Sequence, residues 1–354
     1  MKSIKINNTV IGSTHPTYFI ADIAANHNGD LFKAKELIAM CAESGANAAK
    51  FQHFKAETIV SDIGFNNLNI QSHQSKWKNS VYDVYKQASI AIEWCFPLIE
   101  ECNKYNIDFF TSPYDLNYVD ELVELLPAYK IGSGDITWLD IIERIAKKNK
   151  PVLLATGASS FIEVKKAVEL ILSFNKKLII MQCNTNYTGN DEVNIKNLNL
   201  NVLDTFKKEF PELITGLSDH TISNLSVLAS ISKGARVIEK HFTDNINQEG
   251  PDHKFSLTPK KWSQMVQEAR LLELSLGNGV KKIENNEKET VILQRRSICA
   301  SRSLKIGETI KEEHLTYLRP CPENAFNPYE KKQIIGLELK KNKKSFEPFL
   351  KSDF

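Results

Sequence analysis

Apolar residues along this chain gather in short runs separated by longer stretches of mixed polarity. The runs are YFIADIAAN (18–26), AAKFQHF (48–54), DFFTSP (108–113), AYKIGSG (128–134), PVLLATG (151–157), LIIMQCNT (178–185), LITGLSD (213–219) and RVIEKHF (236–242). They are mostly continuous rather than alternating, the pattern of parallel strands buried on both faces. The stretches between them have helical spacing. GDLFKAKELIAMCAESGA sets Leu31, Ala34, Leu37, Ile38, Cys41 and Ala42 on one face, with Gly45 as a stop. SSFIEVKKAVELILSF and NLSVLASISKGA behave alike, and Asp30 and Ser159 or Ser160 suit helix N-caps.

Eight strand–helix units predict an α/β fold, a (β/α)8 TIM barrel, which takes about 250 residues and would here occupy 1–280. A doubly wound open sheet competes. It usually has fewer strands and a glycine-rich first turn, and no G-x-G-x-x-G follows the first run. From ELSLGNGVKKIENNEKE (273–289) onward the chain changes character. That polar segment reads as a connector, placed at 281–292. Beyond it, 293–354 has short β-like runs and turns, expected to form a small β-rich second domain.

Charge narrows the functional classes. Lys+Arg number 45 against 43 Asp+Glu, a net charge of +2, so no electrostatic footprint for nucleic acid or an anionic membrane exists. No apolar stretch approaches the ~18 residues of a membrane span. The first residues lack the basic, apolar and cleavable order of a secretion signal. Six scattered cysteines without a C-x-x-C pair read as reduced thiols in a cytoplasmic protein.

Barrel enzymes work at the C-terminal ends of their strands, and the polar residues here fall there. The runs end in or carry Asp22, Asn26 and His27; Lys50, Gln52 and His53; Thr111 and Ser112; Lys130, Ser133 and Asp135; Thr156 and Gly157; Asn184, Thr185 and Tyr187; Ser218, Asp219 and His220; Lys240 and His241. Lysine is rarely buried unless paired, so Lys50 and Lys130 inside a barrel mouth would present cations to an anion. Lys240 reads better as a lysine on a solvated strand end, paired with a carboxylate. His220 and His241 end successive strands. Neighbouring strands lie about 5 Å apart, so both rings could reach one divalent ion and leave positions open for water and substrate oxygens. Two histidines without a third firm ligand suit exchangeable Mn²⁺ or Mg²⁺ better than structural zinc. Asp252, in PDHK after the eighth run, would face the same mouth.

ADIAANHNGD, KFQHFKAETIVS, YKIGSGD, ATGAS, GLSDHT and EKHFTDNINQEGPDHKFSL together resemble the sialic acid synthases, phosphoenolpyruvate-condensing enzymes that make nonulosonic acids. The tail SICASRSLKIGETIKEEHLTYLRP resembles the antifreeze-like (SAF) domain that follows their barrel. The resemblance covers nearly the whole chain, in order. It implies a condensation of phosphoenolpyruvate with an open-chain N-acylated hexosamine such as N-acetylmannosamine, with C–O cleavage and release of phosphate.

His220 and His241 match the metal ligands of that family. Lys50, Ser133 and Ser218 match phosphoenolpyruvate contacts, and Lys130 a neighbouring anion-binding lysine. Thr185 and Tyr187 match positions near phosphate and sugar, and Asp252 a contact to a sugar hydroxyl. Gln52 and Thr111, at the ends of the second and third runs, complete the expected substrate contacts. Arg319, in YLRP, matches an arginine that reaches the partner subunit's site in a domain-swapped homodimer. Two positions depart: those synthases carry glutamates where Asp22 and Asp135 stand here, one expected to be catalytic and the other sugar-facing. Ala155 replaces a phosphate-side serine, and QRRS (294–297) departs from a more apolar pattern. The shorter carboxylates open the sugar to 2,4-diacetamido-trideoxyhexoses, precursors of legionaminic or pseudaminic acid. Two other readings are an aldolase making a seven- or eight-carbon sugar acid, which would usually lack such a tail, and a non-catalytic sugar- or ice-binding module.

Overall fold

The structure, a computed structural model, describes residues 3–68, 77, 79–187 and 191–354. It divides into two compact units, Met1–Gly277 and Asn278–Phe354.

All eight expected strands form in the first unit. They follow a hairpin that the apolar runs did not announce, β1 (Ser3–Ile6) and β2 (Thr9–Gly12), paired antiparallel. The eight are β3 (Tyr18–Asp22), β4 (Ala48–His53), β5 (Asp108–Pro113), β6 (Tyr129–Ile131), β7 (Val152–Ala155), β8 (Leu178–Cys183), β9 (Ile214–Asp219) and β10 (Val237–His241). Every ladder among them is parallel, and β10 pairs with both β9 and β3. The order β5-β4-β3-β10-β9-β8-β7-β6 brings the two ends side by side at β5 and β6. This is a (β/α)8 barrel, not an open doubly wound sheet, and the connections explain why. A helix follows nearly every strand, and helices cover the outer face of the sheet.

Alternation along the strands sorts their side chains into two layers. Phe19, Ala21, Phe51, Phe109, Leu154, Ile180, Leu217 and Ile238 face the helices, in one outer core with Leu37, Ile38, Val168 and Trp262. Tyr18, Ile20, Ala48, Phe110, Leu153, Ile179, Met181 and Val237 fill the barrel, and Ile6 and Ile11 of the hairpin pack with them, fully buried. The floor of the barrel is therefore solid. The helix Leu31–Glu43 is capped by the Asp30 carboxylate. Of the two candidate serines Ser160 caps Phe161–Phe174, in a reciprocal capping box with Glu163.

The second unit begins a few residues before the expected boundary. The stretch read as a connector is helical from Asn285, as a short turn and the helix Lys288–Gln294. β11 (Ser297–Ala300) pairs antiparallel with β12 (Leu315–Leu318). Ile298, Ala300, Leu304, Ile310, Ile334 and Phe349 form its core. Lys343 and Asp353 are joined at 2.6 Å and nearly buried. Arg319 lies exposed just after β12. No helix among the described residues is long and apolar enough to cross a membrane.

Candidate active site

The strand ends open into a cavity of about 390 Å³. Most of the expected residues line it: Asp22, Lys50, Gln52, Lys130, Ser133, Asp135, Tyr187, Ser218, His220, His241 and Asp252. Strand parity explains the convergence. Asp22 faces Lys50 across the β3–β4 ladder, and His241 faces Asp22 across β10–β3.

At the bottom of the cavity lies a buried charge cluster. Lys50 Nζ donates to Asp22 Oδ2 at 2.6 Å and lies 3.8 Å from Glu239 Oε1. Lys130 Nζ donates to the same Glu239 oxygen at 2.9 Å, and Ser218 Oγ lies 3.3 Å from it. Burial by itself would deprotonate Lys50, but Asp22 and then Glu239 more than offset it, so its pKa is raised. Glu239 Oε2 is buried without a hydrogen-bond partner. Glu239 was not expected from the sequence, where it is one carboxylate inside an apolar run.

Beside this cluster stand the two histidines, ring centroids 5.3 Å apart. His220 Nδ1 lies 2.9 Å from the Asn184 carbonyl, which fixes the proton there and leaves Nε2 as a lone-pair donor. His241 Nδ1 has no partner, and its Nε2 lies 3.7 Å from Asp22 Oδ2. Burial, then the charges of His220 and Lys50, hold His241 well below the usual histidine range and therefore neutral. Burial opposes protonation of His220 too, yet Cys183, its Sγ 4.0 Å from Nδ1, raises its pKa overall. Tyr187 and Phe255 pack edge-on against the rings and limit their rotation. Once unprotonated, the two ring nitrogens could serve a divalent ion. Among the described residues no trio of histidine, cysteine or carboxylate side chains converges on a metal position. The donor set therefore fits an ion held mainly by water and substrate oxygens, not a structural zinc.

Ser133 accepts a hydrogen bond from the Gly157 amide at 2.9 Å. A Cβ on residue 157 would fall 2.5 Å from Thr185 Cγ2 and 2.9 Å from Ser133 Oγ, so only glycine fits between them. Thr185 thus lies against the same glycine as Ser133 but does not itself line the cavity. Asp135 and Asp252 lie in the cavity wall. Burial pushes each carboxyl up to about 6, Asp252 despite an N–H bond from Ala25. A third group lines the mouth: Phe54 between Tyr85 and Tyr114, ring centroids 5.3 and 6.1 Å away. These aromatics were also missed. Phe54 and Tyr114 directly follow β4 and β5, whereas Tyr85 comes from the helix Val81–Ala88, distant in sequence from both.

Some expected residues do not face the cavity. Thr111, expected to touch substrate, sits opposite Phe51 in the ladder and turns to the outer layer, its Oγ1 2.7 Å from His53 Nδ1. The even run DFFTSP gave no alternation from which to read its side. His53 is held there by Thr111 and Cys95, and His27 packs on Trp94 and Phe51. Lys240 pairs with Asp219 at 2.6 Å, the expected carboxylate partner, but in the buried outer layer rather than at a solvated strand end.

The NeuB family model matches residues 37–281. The chain is 35% identical to the N,N'-diacetyllegionaminic acid synthase of Campylobacter jejuni, across 94% of this chain and 98% of that one. It is 30% identical to the N-acetylneuraminate-9-phosphate synthase of Homo sapiens, across 93% and 91%. The crystal structure of N-acetylneuraminic acid (sialic acid) synthetase from Leptospira borgpetersenii, in complex with citrate, superposes with a TM-score of 0.72 at 28% identity, covering 82% of this chain and 95% of that one.

Proposed function

Since the chain belongs to the NeuB family, we propose that it is a nonulosonic acid synthase, a cytoplasmic transferase that condenses phosphoenolpyruvate with an open-chain N-acylated hexosamine and water. The products are a nine-carbon 2-keto-3-deoxy sugar acid and phosphate. The observation that carries this reading is the meeting of Lys50 and Lys130 at Glu239 on the cavity floor, beside two histidines.

Lys50, Lys130, Ser133 and Ser218 bind the phosphate and carboxylate of phosphoenolpyruvate as charge-assisted donors. Holding C3 against the aldehyde carbon turns a bimolecular step into an oriented one. His220 and His241 would hold Mn²⁺ or Mg²⁺, which when bound supplies Lewis-acid polarisation of the aldehyde. Glu239 Oε2, buried without a partner, is the acceptor available for a proton of the water that adds at C2 before the C–O bond to phosphate breaks. Asp22, fixed by Lys50 and by Gln52 Nε2 at 3.4 Å, orients the sugar at its reacting end. Asp135 and Asp252 accept sugar hydroxyl or amide protons. Tyr187, in the cavity wall, packs beside both substrates.

The sugar is either N-acetylmannosamine or a 2,4-diacetamido-trideoxyhexose. The apolar box of Phe54, Ala25 and Ala88 at the mouth favours the second, whose methyl and acetyl groups need no hydroxyl partner there. The small unit acts as an antifreeze-like domain that carries Arg319 to the partner's site in a swapped homodimer. The test is phosphate release from phosphoenolpyruvate by purified protein with Mn²⁺, across a panel of acylated hexosamines, with product mass spectrometry. Release that depends on one of the sugars is the expected result. No release with any of them overturns the reading.

A further inference from the structure

We infer that the buried pair Lys240–Asp219 is a positioning device for His220 and His241, fixing the height and direction at which the two rings enter the cavity. The inference rests on the reading of those histidines as metal ligands.

Lys240 and Asp219 face one another in the β9–β10 ladder, each one residue before a histidine. Because side chains alternate, the pair points outward where the histidines point inward. Its surroundings are apolar: Leu217, Ile238, Val227, Ile231 and Phe242 belong to the same outer core. The two side chains are 1% and 0% exposed. Every bond they make converges on the turn after β9. Asp219 Oδ2 receives Lys240 Nζ at 2.6 Å and Thr221 Oγ1 at 2.9 Å, with Ser226 Oγ at 2.5 Å. Its Oδ1 receives the Thr221 amide at 2.9 Å. Lys240 Nζ also donates to the Thr221 carbonyl at 2.6 Å and lies 3.2 Å from its hydroxyl. His220 thus sits between two residues tied to one ammonium, and that ammonium belongs to the residue before His241.

A buried ion pair in an apolar layer contributes little net stability over a well-packed apolar pair. What it adds is direction, since hydrogen bonds hold only at one register and rotation whereas packed methylenes tolerate several. Groups that orient metal ligands from behind typically change metal affinity by about 10–100-fold when removed.

The experiment uses the full chain free of substrates. Mn²⁺ binding is followed by the electron paramagnetic resonance signal of free Mn²⁺, and thermal unfolding is recorded in parallel, for wild type, H241A and the apolar pair D219L/K240M. The expected result is a folded double variant, with a cooperative transition near that of wild type, that binds Mn²⁺ at least about tenfold more weakly. A folded double variant with wild-type affinity overturns the proposal and leaves the pair as core filling. If wild type and H241A bind alike, the metal reading fails and the proposal with it, a result distinguishable from the first. Should D219L/K240M not fold, Thr221→Val removes only the bridging hydroxyl. Several-fold weaker Mn²⁺ binding then supports the proposal, and unchanged binding overturns it.

Discussion

Lys50 Nζ lies 2.6 Å from Asp22 Oδ2, the two residues facing each other across the first barrel ladder with side chains 2% and 3% exposed. The lysine is therefore charged in a place that would otherwise deprotonate it. Lys50→Met should lower kcat/KM for phosphoenolpyruvate by about 10²–10³-fold, the usual effect of losing one preorganised donor. Steady-state phosphate release measures the loss, and an unchanged far-ultraviolet circular dichroism spectrum separates it from misfolding.

Asp22 is too short to be exchanged freely for its homologue. Glutamate would move the carboxylate by more than an ångström, into Lys50 and His241. Asp22→Glu should cost about 10²-fold in rate with the preferred sugar and change the ranking across a sugar panel. An unaltered ranking would show that Asp22 does not select the sugar.

Asp135 and Asp252 predict an acid limb. Burial raises both to about 6, so the folded protein binds these protons more tightly than the unfolded chain does. The stability from that proton binding is full at low pH and is lost as pH rises through 6. The ionised acceptors needed by the sugar appear over the same interval. kcat/KM for the sugar should fall about tenfold per pH unit or more below 6. Asp252→Asn should flatten one limb and raise the unfolding temperature at pH 8 relative to wild type.

Tyr85 and Tyr114 bracket Phe54 in the cavity wall. Tyr85→Phe and Tyr114→Phe should each raise the KM for the sugar by about three- to tenfold, the cost of one lost hydrogen bond, with KM for phosphoenolpyruvate unchanged. Equal changes in both constants would place the phenols on the phosphoenolpyruvate side instead.

Arg319→Ala and Lys50→Met should each be nearly inactive as pure proteins. Co-expressed, they form mixed dimers in which one site has both residues intact if the arginine acts across the twofold. About a quarter of wild-type activity should return. No recovery would assign Arg319 to its own subunit or to no site.

Much of this organisation was legible in the chain. The barrel strands were readable because each is a short, mostly apolar run, and the helices between them because their apolar faces recur at helical spacing. Lys50, Lys130, His220 and His241 stood out as polar groups at strand ends. Side-chain direction was harder. Thr111 lies in DFFTSP, where no alternation of apolar and polar residues marks inside from outside. Glu239 is a single carboxylate inside the run RVIEKHF, and its role emerges only from three strands converging on it. Tyr85 lies on a helix whose approach to the cavity depends on packing, not on local pattern. The β1–β2 hairpin was missed because its strands are short and only half apolar, and its burial comes from the barrel it meets.

That hairpin carries a kinetic consequence. With Ile6 and Ile11 packed into the base of the barrel, traffic can pass through one end alone. The cations lie at the bottom of this single-entrance vessel together with Asp22, while Asp135, Asp252 and the aromatic side chains line its wall. Under the proposed function both substrates then enter, and phosphate leaves, by the same opening. That shared route is set by a plug on the far side of the barrel, which touches neither substrate.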